Sequence, residues 1–156
     1  AVLNGNGNNT VFGGVGEDGT GADVISVNGT GDNVVFNGNG DATVLIAAAA
    51  TGANVLWAGA GDDTFNFAAG TAAGTLIVEA GNGNDVINLA GGSADLFDED
   101  IMIDLSALYS TAEEVFAAME MDGLNAVLQI SPGNTVTFTG VSETLLFQNV
   151  DDWLIL

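Results

Sequence analysis

The sequence predicts an all-β fold: a right-handed parallel β-roll (a β-solenoid) capped by a C-terminal segment with one short helix and a β-hairpin. Two observations predict it. A Gly-x-Gly-x-Asx-x-apolar-x frame recurs at steps close to nine residues, and glycine becomes sparse after about residue 95. One such repeat cannot bury its apolar side alone, whereas stacked repeats bury a continuous core, as in a solenoid.

Each repeat consists of a tight glycine turn, an Asx residue and a short β-prone stretch with one inward-pointing apolar residue. Residues 59–67 give the best copy, and residues 75–79 read as a strand without its own glycine turn, which counts as one half-turn. The Asx positions are 9, 23, 33, 42, 54, 63 and 85, with alanine at 42. The residues expected to point inward are Val11, Ile25, Val35, Val44, Leu56, Phe65 and Ile87.

The chain is predicted to form one continuous structural domain, with the roll at residues 1–95 and a capping segment at 96–156. In the cap, Ser110-Thr111-Ala112-Glu113 has the pattern of a capping box and predicts a helix that ends near Met121. A hairpin is predicted around Pro132 and Gly133. The strands predicted in this segment are 100–105, 126–130, 135–139, 143–149 and 153–156. They are expected to cover an open end of the solenoid.

The charge composition excludes several classes of function. With 21 acidic residues, no basic residue and no cysteine, the formal net charge is −21. Such a chain cannot neutralise nucleic-acid phosphates, is repelled by anionic membranes, and has no Ser-His or Cys-His pair for nucleophilic catalysis. No apolar run is long enough to predict membrane insertion, and no N-terminal signal peptide is visible.

So many negative charges without an internal partner disfavour the compact state. Two explanations remain open from composition alone. Either hard cations with oxygen ligands compensate the charge, or the carboxylates form a solvated acidic surface. The glycine turns favour the first, because glycine lets backbone carbonyls turn to one side and an Asp then faces the carbonyls of the neighbouring turn.

The repeats resemble the repeats-in-toxin (RTX) nonapeptide family, Gly-Gly-x-Gly-x-Asp-x-apolar-x, over roughly residues 4–89. The resemblance implies a parallel β-roll with Ca2+ between turns. Residues 104–108 are similar to a segment of serralysin-type proteases and alginate epimerases, and residues 151–156 to an uncleaved C-terminal export signal. It also implies passage through a type I secretion apparatus and a place outside, or on the surface of, a Gram-negative bacterium.

In a β-roll, alternate half-turns share an edge, which divides the Asx positions into two sets. We name as the Asp edge the one that carries Asp23, Ala42, Asp63 and Asp85, and as the Asn edge the one that carries Asn9, Asn33 and Asn54. Calcium is expected on the Asp edge, while neutral Asn side chains are expected to stack as an amide ladder. The candidate metal ligands are Asp63, Asp85, Gly59, Gly61, Gly81, Gly83, Asp23, Gly19, Gly21, Asp62, Asp98, Asp100 and Asp104.

A plainer interpretation stays open for each of these candidates. Glycine and Asx residues both tolerate left-handed backbone, so the repeats also suit turns without metal. A solvated strand edge explains Asp98, Asp100 and Asp104 as well as a site does.

The sequence predicts a secreted, non-enzymatic protein. The adjacent carboxylates, as at Asp62-Asp63, would mostly point apart and mark no cleft. Because repeats begin almost at residue 1 without an obvious cap, we expect self-association into a head-to-tail filament or surface layer. The alternative is a calcium-dependent folding and export module of a larger secreted enzyme or adhesin.

Overall fold

A computed structural model describes residues 1–14, 21–70, 74–79, 81, 83–92 and 101–156. Its strands form two sheets, sheet A in the order β1-β3-β5-β7-β9-β13-β12-β11 and sheet B in the order β14-β10-β8-β6-β4-β2. The strands are β1 Val2–Leu3, β2 Thr10–Phe12, β3 Asp23–Val27, β4 Val34–Phe36, β5 Ala42–Ile46, β6 Asn54–Trp57, β7 Thr64–Phe67, β8 Gly74–Ile77, β9 Asn84–Leu89, β10 Ile101–Asp104, β11 Met119–Asp122, β12 Asn125–Ser131, β13 Asn134–Thr139 and β14 Leu154–Ile155.

The first ten strands alternate between the two sheets and pair in parallel with the next strand but one. This is the predicted parallel β-roll. Burial alternates along each strand because side chains point in turn to the core and outward. The half-turn predicted at 75–79 is confirmed as β8, which lies in sheet B between β6 and β10.

The residues predicted to point inward form the core of the roll. Val35, Val44, Leu56, Phe65 and Ile87 are fully buried, and Ile25 is 1% exposed. Val11 is partly buried and packs against this core. The stack is a continuous column of apolar side chains, so each turn is stabilised by its neighbours rather than by itself.

The C-terminal segment continues both sheets of the roll. β13 pairs in parallel with β9, and β10 pairs in parallel with β8. β12 and β13 form the predicted hairpin, and β11 adds a third antiparallel strand to it. Trp153 is fully buried and packs edge-on against Phe138. The segment thus covers the last repeat, while the boundary predicted at 95/96 lies outside the described residues.

Three short helices occur in the described residues where the sequence predicted one. They are α1 Ala112–Ala117, α2 Glu143–Gln148 and α3 Val150–Trp153. The strand predicted at 143–149 was wrong: Ser142 caps α2, its hydroxyl accepting the Leu145 N–H. The strand predicted at 153–156 is reduced to β14, because α3 includes Trp153. Only Leu146 of α2 is fully buried, while Leu145 and Phe147 on either side of it are exposed, so the apolar run that resembled a strand is spread around a helix.

The predicted capping box is shifted by one residue. Thr111 is the N-cap of α1, its hydroxyl accepts the Glu114 N–H, and the Glu114 carboxylate accepts the Ser110 N–H. The helix ends at Ala117 rather than near Met121, because Met119 begins β11 opposite Leu128 and is buried there. No helix of the described residues is long and apolar enough to cross a membrane.

Candidate metal centre

The strand register places the Asx positions on two edges as predicted. Asp23 lies beside Ala42 in the pairing of β3 with β5. The Ala42 N–H donates to Asp63 Oδ1 at 2.7 Å, and the Asp63 N–H donates to Asp85 Oδ1 at 3.0 Å. In this part of the Asp edge, the carboxylates of Asp63 and Asp85 each accept a backbone N–H of the preceding turn.

The Asn edge is a complete amide ladder, which confirms the prediction. Asn9 Nδ2 donates to Asn33 Oδ1 and Asn33 Nδ2 donates to Asn54 Oδ1, both at 2.9 Å. Each Nδ2 also donates to the glycine carbonyl two residues earlier in its own turn, at Gly7, Gly31 and Gly52. Asn33 and Asn54 are 1% exposed, and every polar atom of these two side chains has a partner.

The Asp edge is an incomplete version of the same ladder. Asp63 is fully buried and Asp85 is 1% exposed. Their Oδ1 atoms accept backbone N–H groups as the Asn Oδ1 atoms do, so each Oδ2 takes the position equivalent to an Asn Nδ2. An oxygen cannot donate to the nearby acceptors, and both Oδ2 atoms are buried without a hydrogen-bond partner. A buried carboxylate oxygen without a partner is unfavourable, so this edge requires a proton or a cation.

Burial raises the pKa of both carboxyl groups. Loss of solvation raises the pKa of Asp63 from 3.8 to about 7, although the hydrogen bond from Ala42 opposes the increase. The pKa of Asp85 rises to about 8 for the same reason, opposed by the bond from Asp63 and reinforced by the Asp63 charge. The electrostatics therefore favour a positive ligand at this edge when both groups are ionised.

The glycines of the Asp edge permit close stacking of the turns. Gly59, Gly61 and Gly83 all have left-handed backbone, with φ values of +79°, +115° and +87°. A Cβ at Gly83 would collide with the carbonyl oxygen of Gly61 in the preceding turn. Glycine is required here for contact between turns as well as for its φ angle.

Alanine at Gly83 is expected to destabilise the roll more than alanine at Gly81. Both have nearly equal φ values, but a Cβ at Gly81 meets nothing within 4 Å. We expect Gly81→Ala to cost about 1–2 kcal/mol for left-handed backbone. Gly83→Ala should cost a further ~1–3 kcal/mol from overpacking. Urea unfolding at pH 5 without calcium measures the difference, and equal losses would contradict the stacking argument.

The other predicted ligands that the structure describes are more exposed than the buried pair. Asp62 is exposed, and its Oδ1 accepts the Asn84 N–H at 2.8 Å. Asp23 is half-buried and accepts the Gly14 N–H, and Asp104 accepts the N–H and hydroxyl of Ser106. Gly21 and Gly81 are exposed in their turns. Gly19, Asp98 and Asp100 lie outside the described residues.

Two features of the turns were missed. The residue before each Asx position bonds to the next turn: Asp41 Oδ1 accepts the Asp62 N–H as Asp62 Oδ1 accepts that of Asn84. The recurring acidic or Asn residue there was the available signal. The second feature is Asn37, which is 1% exposed with both side-chain polar atoms unpartnered. The sequence feature that could have singled out Asn37 is its place directly before Gly38, in the turn that has alanine at its Asx position.

The donor chemistry fits calcium. The buried pair offers two carboxylates, each with an unpartnered oxygen, and carboxylate and main-chain carbonyl oxygens are the hard ligands that Ca2+ prefers. Within the described residues, no three acidic side chains come together as a metal cluster. A metal on this edge would therefore depend on Asp63, Asp85 and main-chain oxygens.

Residues 46–71 and 77–95 match the RTX calcium-binding nonapeptide repeat in four copies. The chain contains RTX repeats. The matched residues contain the turns of both Asp63 and Asp85, and RTX nonapeptide repeats bind Ca2+. Proteins with these repeats are generally structural or calcium-binding and are typically secreted by Gram-negative bacteria. No curated protein matches this chain as a relative.

Proposed function

We propose that this protein is a non-enzymatic calcium-binding β-roll that folds outside the cell, with calcium held between the turns of Asp63 and Asp85. The main observation in support of this proposal is that the Oδ2 atoms of Asp63 and Asp85 are buried without hydrogen-bond partners. Gly59, Gly61, Gly81 and Gly83 belong to the same two turns and supply main-chain carbonyls as further ligands. Asp23, Asp62 and Asp104 remain candidates for weaker sites.

Calcium dependence follows from the contrast between the two edges. The Asn edge has its hydrogen bonds without any ligand, whereas the Asp edge holds buried negative charge once the pH rises above the pKa values of Asp63 and Asp85, about 7 and about 8. A cation that binds the folded state alone stabilises it by mass action. Low calcium inside the cell would leave the chain less folded for type I secretion, and higher calcium outside would complete the roll.

Calcium is expected to raise the melting temperature, and a chelator is expected to lower it. At a free calcium concentration one hundred times Kd, one site contributes about 2.7 kcal/mol. This corresponds to roughly 5–11 °C for a chain of this size. Circular dichroism melts at pH 8 in calcium, in magnesium and in chelator measure the effect. A melting temperature that is the same in all three would contradict the proposal.

Self-association into a filament or surface layer is a second proposal, supported by an aromatic row on the outer face of sheet B. Phe12, Phe36 and Trp57 stack with ring centroids 5.0 and 4.6 Å apart. Phe12 is 65% exposed at the end of this row. Exposed, regularly spaced aromatic rings of this kind suit contact with another copy.

Negative-stain electron microscopy tests the assembly proposal separately from calcium binding. Ordered polymers in millimolar calcium that dissolve on chelation, and that are lost in Phe12→Ser, would support self-association. A monomer that binds calcium normally would instead favour the calcium-dependent folding and export module of a larger protein. The variant lies outside the Asp edge, so its calcium affinity is expected to match that of the unmodified protein.

A further inference from the structure

Asn37 is a buried polar side chain for which the repeat pattern gives no role. It follows β4 in the turn that leads to β5, and its backbone N–H donates to the Trp57 carbonyl at 3.2 Å. The side chain is 1% exposed, yet neither Oδ1 nor Nδ2 has a hydrogen-bond partner. Leaving both halves of a buried amide unpaired is unfavourable, because each group has lost its hydrogen bonds to water.

The turn that contains Asn37 is also the one in which the Asp edge lacks a carboxylate. Ala42 stands at the Asx position of this turn, and only its backbone N–H reaches Asp63. Asn37 stands five residues before the Asx position of its turn. In the next turn of the Asp edge, the equivalent residue is Ala58, which is fully buried. A small apolar side chain therefore fits this place, and the polar one occurs where the Asx side chain is missing.

Asn37 lies beside the carboxylate of Asp63. Its amide acts on the Asp63 carboxylate as a weak, long hydrogen-bond donor and so opposes the effect of burial on the Asp63 pKa, which places the two side chains next to each other. They do not satisfy one another, because Asp63 Oδ2 and both polar atoms of Asn37 remain unpartnered. Oxygens that each bind one calcium ion at about 2.3–2.6 Å need not lie within hydrogen-bond distance of each other.

We infer that Asn37 supplies the side-chain oxygen that Ala42 cannot, so that a second calcium ion binds between the turns 37–42 and 58–63. Asp63 is then shared by two ions, with Asn37 on one side and Asp85 on the other. This inference rests on the proposed calcium site and extends it by one ion. Asn37 would then be a metal ligand although it does not occupy the Asp position of the nonapeptide.

Calcium stoichiometry tests the inference. By isothermal titration at pH 8, Asn37→Ala is expected to bind one ion fewer than the unmodified protein, or to bind that ion at least ten-fold more weakly. Asp85→Asn should also lose one ion, from the other side of Asp63. The double variant Asn37→Ala/Asp85→Asn should lose both, because the two substitutions affect different sites.

Two further variants keep the test decisive. Asn37→Asp retains an oxygen ligand and is expected to keep the full stoichiometry, which distinguishes ligation from a packing defect if Asn37→Ala folds poorly. Asn54→Ala, a buried amide on the Asn edge, should leave the stoichiometry unchanged. Unaltered stoichiometry and affinity in Asn37→Ala would overturn this inference alone. Unaltered calcium binding in Asp63→Asn/Asp85→Asn would instead overturn the proposed function.

Discussion

Replacing Asp63 and Asp85 together with asparagine is expected to raise the melting temperature of the calcium-free protein at pH 8 and to abolish its response to calcium at this edge. On the substituted edge each new Nδ2 would take the position of an orphaned Oδ2 and could donate as in Asn33 and Asn54. Removing two unsatisfied buried groups is worth about 1–3 kcal/mol each. The combined gain corresponds to roughly 5–20 °C.

The matched control makes the reverse substitution, asparagine to aspartate, on the Asn edge. Asn33→Asp/Asn54→Asp replaces two Nδ2 donors with oxygens and breaks the ladder, so it should lower the calcium-free melting temperature. Thermal melts of both variants in chelator and in calcium provide the comparison. If Asp63→Asn/Asp85→Asn melts below the unmodified protein in chelator, the equivalence of the two edges is wrong.

Without calcium, stability is expected to fall as pH rises from about 4 to about 8. The pKa of Asp63 is raised to about 7 and that of Asp85 to about 8, while the unfolded chain loses these protons near 3.8. The folded state therefore binds more protons in this window, and its stability decreases with a slope of up to about 1.4 kcal/mol per pH unit for each group.

Calcium should flatten this dependence, because the metal replaces the two protons and binds more tightly as they leave. Urea unfolding from pH 5 to pH 9 in chelator and in calcium measures both slopes. The window above pH 5 isolates the two buried groups, since ordinary carboxylates are already ionised there. Asp63→Asn/Asp85→Asn should lose the slope. A calcium-free stability that rises over this window would contradict the assignment of buried charge.

The roll could be predicted because its repeat is local. The spacing of glycine, Asx and apolar residues determines which residues turn, which point inward and which edge each turn occupies. The ladder of Asn9, Asn33 and Asn54 followed from that spacing alone. The sequence predicted the edge on which Asp63 and Asp85 lie, but not that their Oδ2 atoms are buried without partners, because burial depends on how closely successive turns stack.

The C-terminal segment was harder because its signals are not repeated. Residues 143–149 are apolar enough for a strand, and the choice of helix depends on the Ser142 cap and on contacts with distant residues. The parallel pairing of β13 with β9 joins segments about fifty residues apart, for which the sequence has no spacing rule. Asn37 was missed for a related reason: its importance arises from Ala42 and Asp63 in space, not from its own motif.

Because the Asn edge is fully hydrogen-bonded without a ligand, the alignment of successive turns and the stability of the aligned roll do not both depend on calcium. A slip of one residue in a strand would exchange its core and solvent faces, and it would also break the Asn ladder. The neutral edge can therefore align successive turns before any ion arrives. Calcium is then not needed to choose the alignment, and it stabilises the roll once the turns are aligned.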